Sequence, residues 1–336
     1  MGMGVKRKAE AADGAYAIDW RTHCRRPFRR GFLPYREPEE GLQAAVARRR
    51  DELGIDSIED PAGEGATPAP VESFEELSVL PPWLMDALRD NSILEPTPLQ
   101  AQALPVLLAG MNCVGIAQAG SGESHAYLTS VITHIEDQPE LVDEDPGPVA
   151  LVLTASASQA LAVASEARKL VAHSSRSLRH KDGMKVLAIC EGNKFKAQMR
   201  DLGLKGAHIV VATTDRIHDM ASKDQISLLR VTYLIVDGAG TMMEGGLKEK
   251  LMEIATWVRP ERQIALFTST WPKPLHEVTD KLCYSSGSPV RISVLDQPPG
   301  KTIERQNATH ENTGDAVAAP SVGDSAVEAT DSTTAV

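Results

Sequence analysis

The stretch GIAQAGSGESHAY, residues 115–127, has the make-up of an anion-binding turn. It follows an apolar run, Cys113–Gln118, and leads into a helix-length segment. Gly120 and Gly122 let the backbone aim its N–H groups inward, and the positive end of the helix dipole adds to them, so the predicted guest is a polyphosphate. Its lining is predicted to be Ala119, Gly120, Ser121, Gly122, Glu123 and Ser124. A working loop of this type ends in lysine and a hydroxyl residue: the lysine reaches the terminal phosphates and the hydroxyl binds Mg²⁺. Here Glu123 occupies the lysine position, while Ser124 keeps the hydroxyl. A carboxylate is welcome at a helix N-terminus, but beside phosphate it carries the wrong charge.

Positioning such a loop requires a strand before it and a sheet around it. Six further apolar runs follow: Val149–Ala155, Lys185–Cys190, His208–Thr213, Thr232–Asp237, Gln263–Ser269 and Val290–Val294. They are near-continuous Val/Ile/Leu runs separated by helix-length segments, which predicts an α/β doubly wound parallel sheet buried on both faces. The domain is expected over 68–295. Residues 1–18 and 296–336 are small and polar, and are expected to be disordered tails. Between them, residues 19–67 read as a basic, aromatic extension with a helix over 37–54 and a Pro/Gly linker over 59–73.

Composition narrows the class. No apolar run reaches the ~18 residues of a membrane span, and the N-terminus lacks the core of a signal peptide, so no membrane role is expected. Cys24, Cys113, Cys190 and Cys283 are scattered, which predicts neither a disulfide framework nor a zinc site and makes nucleus or cytoplasm the default location. His125, His134 and His208 have no ligand-like spacing and read as surface or packed side chains. The net charge is −11, yet residues 1–50 carry 12 Lys and Arg against 6 Asp and Glu. Within that arm, WRTHCRRPFRRGFLPY (Trp20–Tyr35) interleaves aromatics with arginines, the pattern of a nucleic-acid arm or of a strap laid across a domain surface.

Several stretches together resemble the DEAD-box RNA helicases of superfamily 2, over about residues 20–295. Glu95–Gly110 resembles the Q motif, 115–124 motif I, Val231–Gly240 motif II and Leu266–Pro272 motif III, and the aromatic-basic arm resembles the extension of a nuclear branch. The resemblance implies the first RecA-like, polyphosphate-loop domain, with ATP and Mg²⁺ as cofactors and RNA as a partner. It gives Gln100 and Phe74 to the adenine site and makes Asp237 the acid that holds Mg²⁺ through water. Thr268, Ser269 and Thr270 correspond to the motif III hydroxyls. Ser156, Gly192 and Arg216 correspond to RNA-contacting positions.

The departures fall on the chemistry. Ile93 stands where the family has an aromatic. Gly238 stands where it has the glutamate that activates water, and Gly240 where it has the last aspartate. On the RNA side, Ala157 replaces an arginine, and Glu191 and Asp215 put carboxylates where the family presents glycine backbone. A lysine-to-glutamate change swings the local charge by two units, and at ~4 kcal/mol per contact in an effective dielectric of ~20 it should weaken ATP binding by ~10²-fold or more. Loss of the base removes a further ~10²–10⁴-fold of rate. An arginine finger from a second domain, worth ~10³–10⁵-fold, is not expected in this chain. The resulting expectation is a pseudoenzyme with ATP affinity weakened or lost, acting as an RNA-associated or protein-binding module. RNA would be met through Arg21–Arg36. The alternative is an ATP-dependent RNA helicase that needs a second domain or partner.

Overall fold

The computed structural model describes residues 18–20, 25–33, 42–63, 65–143, 145–192, 200 and 206–295. The tails expected over 1–18 and 296–336 lie outside these residues, apart from Ile18. Eight strands form one sheet in the order β1-β8-β2-β7-β6-β3-β5-β4. They are β1 (Ile55–Glu59), β2 (Cys113–Ile116), β3 (Ala150–Thr154), β4 (Val186–Ile189), β5 (Ile209–Thr213), β6 (Tyr233–Asp237), β7 (Gln263–Thr268) and β8 (Val290–Val294). From β8 to β4 every pairing is parallel. The α/β doubly wound expectation therefore holds.

Helices close both faces. On one side lie α2 (Pro82–Asp90), α3 (Pro98–Leu108), α4 (Glu123–Glu136) and α5 (Ala157–Leu170), sharing a core with Val152, Val211 and Ile235. On the other lie α6 (Thr214–Ser222), α7 (Ala239–Glu244), α8 (Lys248–Trp257) and α9 (Lys273–Cys283), packed on Leu153, Val210 and Val236. Because side chains alternate across a strand, runs such as ALVLT supply both cores at once.

Two parts of the N-terminal region differ from the linker reading. The helix expected over 37–54 is α1 (Gln43–Glu52), and after it Ile55–Glu59 joins the sheet as an antiparallel edge strand against β8. The segment read as a linker is partly tied down: Thr67 is buried and donates to Asp60 at 2.7 Å, and Arg50 donates to the Thr67 and Pro68 carbonyls at 3.3 Å.

The arginine-aromatic arm is a strap. Phe28 and Phe32 meet His134 edge-on at 5.6 and 6.3 Å, and the Arg259 guanidinium stands 4.9 Å over the Phe28 ring. Arg25 pairs with Glu261 at 2.6 Å and Arg26 with Asp145 at 2.9 Å. Arg30 donates to the Ser286 carbonyl at 2.8 Å and to Asn112 at 3.0 Å. The strap covers the C-terminal half of α4, whose residues Ala126–Ile135 are all buried. His134 lies in that cover, pushed down to about 3 by burial and then by Arg30, so it stays neutral. Within the stretch expected to meet RNA, Arg21–Arg36, the side chains of Arg25, Arg26 and Arg30 bond to the domain body. Arg21 and Arg36 lie outside the described residues.

Candidate nucleotide site

In a doubly wound sheet the ligand crevice lies beyond the C-terminal strand ends, and the predicted loop is there, between β2 and α4. Gly120 (φ 89°) and Gly122 (φ 93°) both adopt the left-handed conformation. Gly122 has a second reason to be glycine. A Cβ there would stand 2.3 Å from Gln100 Nε2 and 2.7 Å from Thr97 Oγ1. Those two side chains brace the loop from α3: Thr97 Oγ1 donates to the Ser121 carbonyl at 2.7 Å and Gln100 Nε2 donates to the Gly122 carbonyl at 3.0 Å. The Gln100 carbonyl oxygen in turn accepts from the Thr97 N–H at 3.1 Å, closing a capping box on α3.

Gln100 is thus 1% exposed, and Phe74 is 3% exposed within the core. Ile93 packs half-buried against the same core. The residues assigned to adenine by resemblance therefore serve here as loop brace and packing. Any reading of a base by Gln100 draws on the amide's remaining hydrogen-bonding capacity.

Glu123 opens α4 and faces Asp237 at the end of β6. Burial, followed by the charge of Asp237, pushes the Glu123 carboxyl up to about 7. Asp237 is 4% exposed, and burial raises its carboxyl above the usual range. Its oxygen accepts from the Tyr127 hydroxyl at 2.7 Å, and the Gln159 side chain lies near enough to favour its charged form. Ser124 lies beside the same Tyr127 phenol and acts on its titration. Ser124 and Asp237, the two positions associated with Mg²⁺, therefore both lie beside one buried tyrosine. Sequence reasoning missed Tyr127 and Gln159; the faint signal is that Tyr127 lies one turn after Glu123 on the face turned to the sheet.

Gly238 caps α7 at φ 77°, ψ 39°. No side chain at that position can activate water. Gly240 packs where a Cβ would fall 2.5 Å from Thr270 Oγ1 and 2.9 Å from Thr268 Oγ1. Its N–H donates to Thr268 Oγ1 at 3.1 Å, and that hydroxyl donates to the Thr270 carbonyl at 2.8 Å. The Thr268 hydroxyl thus ties β7 to α7. The backbone of the loop and Ser124 suit phosphate, whereas Glu123 sets a carboxyl within the field of Asp237 at the position where a lysine would meet the terminal phosphates. Among the described residues no group of three or more His, Cys, Asp and Glu side chains converges as a metal site.

The positions matched to RNA contacts sit at the same edge, on the ends of β3, β4 and β5. Ser156 Oγ caps α5 by accepting from the Gln159 N–H at 3.3 Å. Gly192 (φ 84°) is open, with nothing within 4 Å of an added Cβ. The Glu191 carboxylate accepts from Thr213 Oγ1 at 2.8 Å, Asp215 pairs with Lys250, and Arg216 pairs with Asp219 at 3.6 Å. The site therefore groups Ser156, Gly192 and Arg216 near two carboxylates rather than on a bare cationic face.

This sheet order and loop placement define a RecA-like domain. The family model for DEAD/DEAH box helicases matches residues 97–278, and the chain belongs to that family. It is 34% identical to DEAD-box ATP-dependent RNA helicase 20 of Arabidopsis thaliana over 65% of this chain and 41% of that protein. It is 33% identical to the pre-mRNA-processing ATP-dependent RNA helicase PRP5 of Pyricularia oryzae over 88% of this chain and 27% of that one. The chain thus spans less than half the length of these relatives. Among solved structures, Prp28 from Chaetomium thermophilum bound to ADP aligns with TM-score 0.64 at 26% identity, over 79% of this chain and 60% of that one. Yeast Prp28, a DEAD-box splicing factor, aligns with the same TM-score at 22% identity, over 76% of this chain and 57% of that one. No helix among the described residues is long and apolar enough to cross a membrane.

Proposed function

We propose that this chain is a non-catalytic DEAD-box protein, a RecA-like module that associates with RNA or with protein partners, in nucleus or cytoplasm, without hydrolysing ATP. The observation that carries this reading is the pair of acids beneath the loop. Glu123 sets a carboxyl beside Asp237 where the family has a lysine, and Gly238, next to Asp237, offers no base. Each change alone would slow hydrolysis, and the two act on different steps, binding and proton removal, so their effects multiply.

The test is release of inorganic phosphate from MgATP with and without single-stranded RNA, using Asp237→Ala as the control. The expected rate equals that of the control in both conditions. RNA-stimulated hydrolysis abolished by Asp237→Ala would overturn the proposal and favour the alternative of an ATP-dependent helicase. The retained left-handed Gly120 and Gly122 and the hydroxyl of Ser124 are the features on which that alternative rests.

A further inference from the structure

Between the end of α6, the loop that leads into β6 and the last residue of α8 lies a cavity of about 110 Å³. Ala221, Ile226, Leu228, Leu229 and Trp257 give it an apolar lining. Ala221, Ile226 and Leu228 are buried, whereas Asp224 and Ser227 are exposed and form a polar rim. An apolar cavity of ~150 Å³ takes up benzene, so this one is on the scale of a single ring. Its lining holds no Lys or Arg and has an acid at the mouth, which disfavours a polyanion as its guest.

The remaining wall is Ile18, the first described residue of the strap. The strap is already seated on this face: Trp20 Nε1 donates to the Thr256 carbonyl, at the end of α8, at 3.1 Å. Ile18 and Trp20 are half-buried and Asp19 between them is exposed, so the arm meets the domain with its apolar side chains. The chain that leads into Ile18 must therefore pass the mouth of the cavity. Within that chain, residues 1–17, the sequence offers one ring, Tyr16, flanked by the small residues Ala15 and Ala17. Two residues span at most ~7 Å, which keeps the Tyr16 ring within reach of the lining. Tyrosine suits an apolar cavity with a wet rim, because its ring is apolar and its hydroxyl needs a partner or water.

We propose that the cavity docks Tyr16 of this same chain, with the ring against Ile226, Leu228 and Trp257 and the hydroxyl at the rim. The docked ring fixes the start of the strap. From there the strap runs past the Arg25–Glu261 and Arg26–Asp145 pairs to Phe28 and His134, so the N-terminal arm clasps both helical layers of the domain. The inference goes beyond the reading above and needs no nucleotide: an active ATPase would refute that reading and leave this one standing.

The test is NMR on the full chain, deuterated except for tyrosine rings and for labelled Ile, Leu and Met methyl groups. Nuclear Overhauser contacts are expected from the Tyr16 ring to the Ile226, Leu228 and Leu229 methyls. Tyr16→Ala should abolish them and shift those methyl signals, whereas Tyr16→Phe should keep the ring contacts. The Leu84 and Leu104 methyls, in the core on the other face of the sheet, serve as the check that both variants remain folded. Absence of these contacts, or methyl signals indifferent to Tyr16→Ala, would overturn the proposal. So would contacts to the cavity from Met1 or Met3, which would give it to another part of the arm. Contacts seen only between differently labelled copies would likewise overturn it and assign the cavity to a second molecule.

Discussion

Glu123→Gln should stabilise the protein in a way that depends on pH. In the folded chain burial and the nearby Asp237 push the Glu123 carboxyl from 4.5 up to about 7. Between those values the folded state holds more protons than the unfolded state, so stability falls as pH rises through the window and the loss is complete above it. The displacement corresponds to at most ~3.5 kcal/mol at ~1.4 kcal/mol per unit. Glu123 remains partly exposed, and solvent screening reduces this to roughly 1–2 kcal/mol. Glutamine keeps the shape and removes the charge. The variant should match the parent at about pH 4.5 and melt roughly 2–8 °C higher at about pH 8. Differential scanning fluorimetry across that range, with urea midpoints at its two ends, reads the effect. Parallel melting curves for the two proteins at every pH would refute the claim that an ionised Glu123 is held against Asp237 in a site of low polarity.

Glu123→Lys reverses the sign of the seat and should tighten MgADP and MgATP binding by ~10²-fold, measured by calorimetry, with phosphate release still at the blank because position 238 has no acid. Gly240→Ala places a methyl 2.5 Å from Thr270 Oγ1 and 2.9 Å from Thr268 Oγ1, and the overpacking should cost about 1–3 kcal/mol in urea denaturation. Arg30→Ala loses the bonds to the Ser286 carbonyl and Asn112. It should destabilise by about 2–3 kcal/mol and speed hydrogen exchange at the Phe32 and Leu33 amides, which now donate to the Leu108 carbonyl.

Seven of the eight strands were legible because each is a continuous apolar run. The edge strand β1 was not, since IDSIE has only two apolar residues and its partner β8 lies at the far end of the domain. The strap was legible only as a choice between two uses. What settles it are Asn112, Asp145, His134 and Glu261, none of which lies near residues 25–33 in the chain. At the site, glycine spacing revealed the loop and the charge of Glu123 revealed the fault. Tyr127 and Gln159 stayed hidden because their importance comes from facing Asp237 across the sheet. The sequence also recorded that Gly238 lacks an acid but not that its backbone sits at φ 77°.

That backbone angle bears on which reading of the chain is sounder. A partner could in principle supply an arginine to a deficient helicase domain, but it cannot supply a carboxylate from position 238. Reverting Gly238 to glutamate puts an L side chain in the left-handed region, at a cost of roughly 1–2 kcal/mol unless the start of α7 rearranges. Reverting Gly240 to aspartate meets the Thr268 and Thr270 hydroxyls, which have closed over the space a Cβ would occupy. On the RNA side Glu191 is held by Thr213 and Asp215 by Lys250. Gly240 is thus held by packing and Gly238 by its backbone angle, while Glu191 and Asp215 would each give up a bond on returning to the family pattern. Resistance to reversion at Gly238 and Gly240, the two positions that motif II chemistry needs, weighs for the non-catalytic reading over that of an enzyme waiting for a missing half.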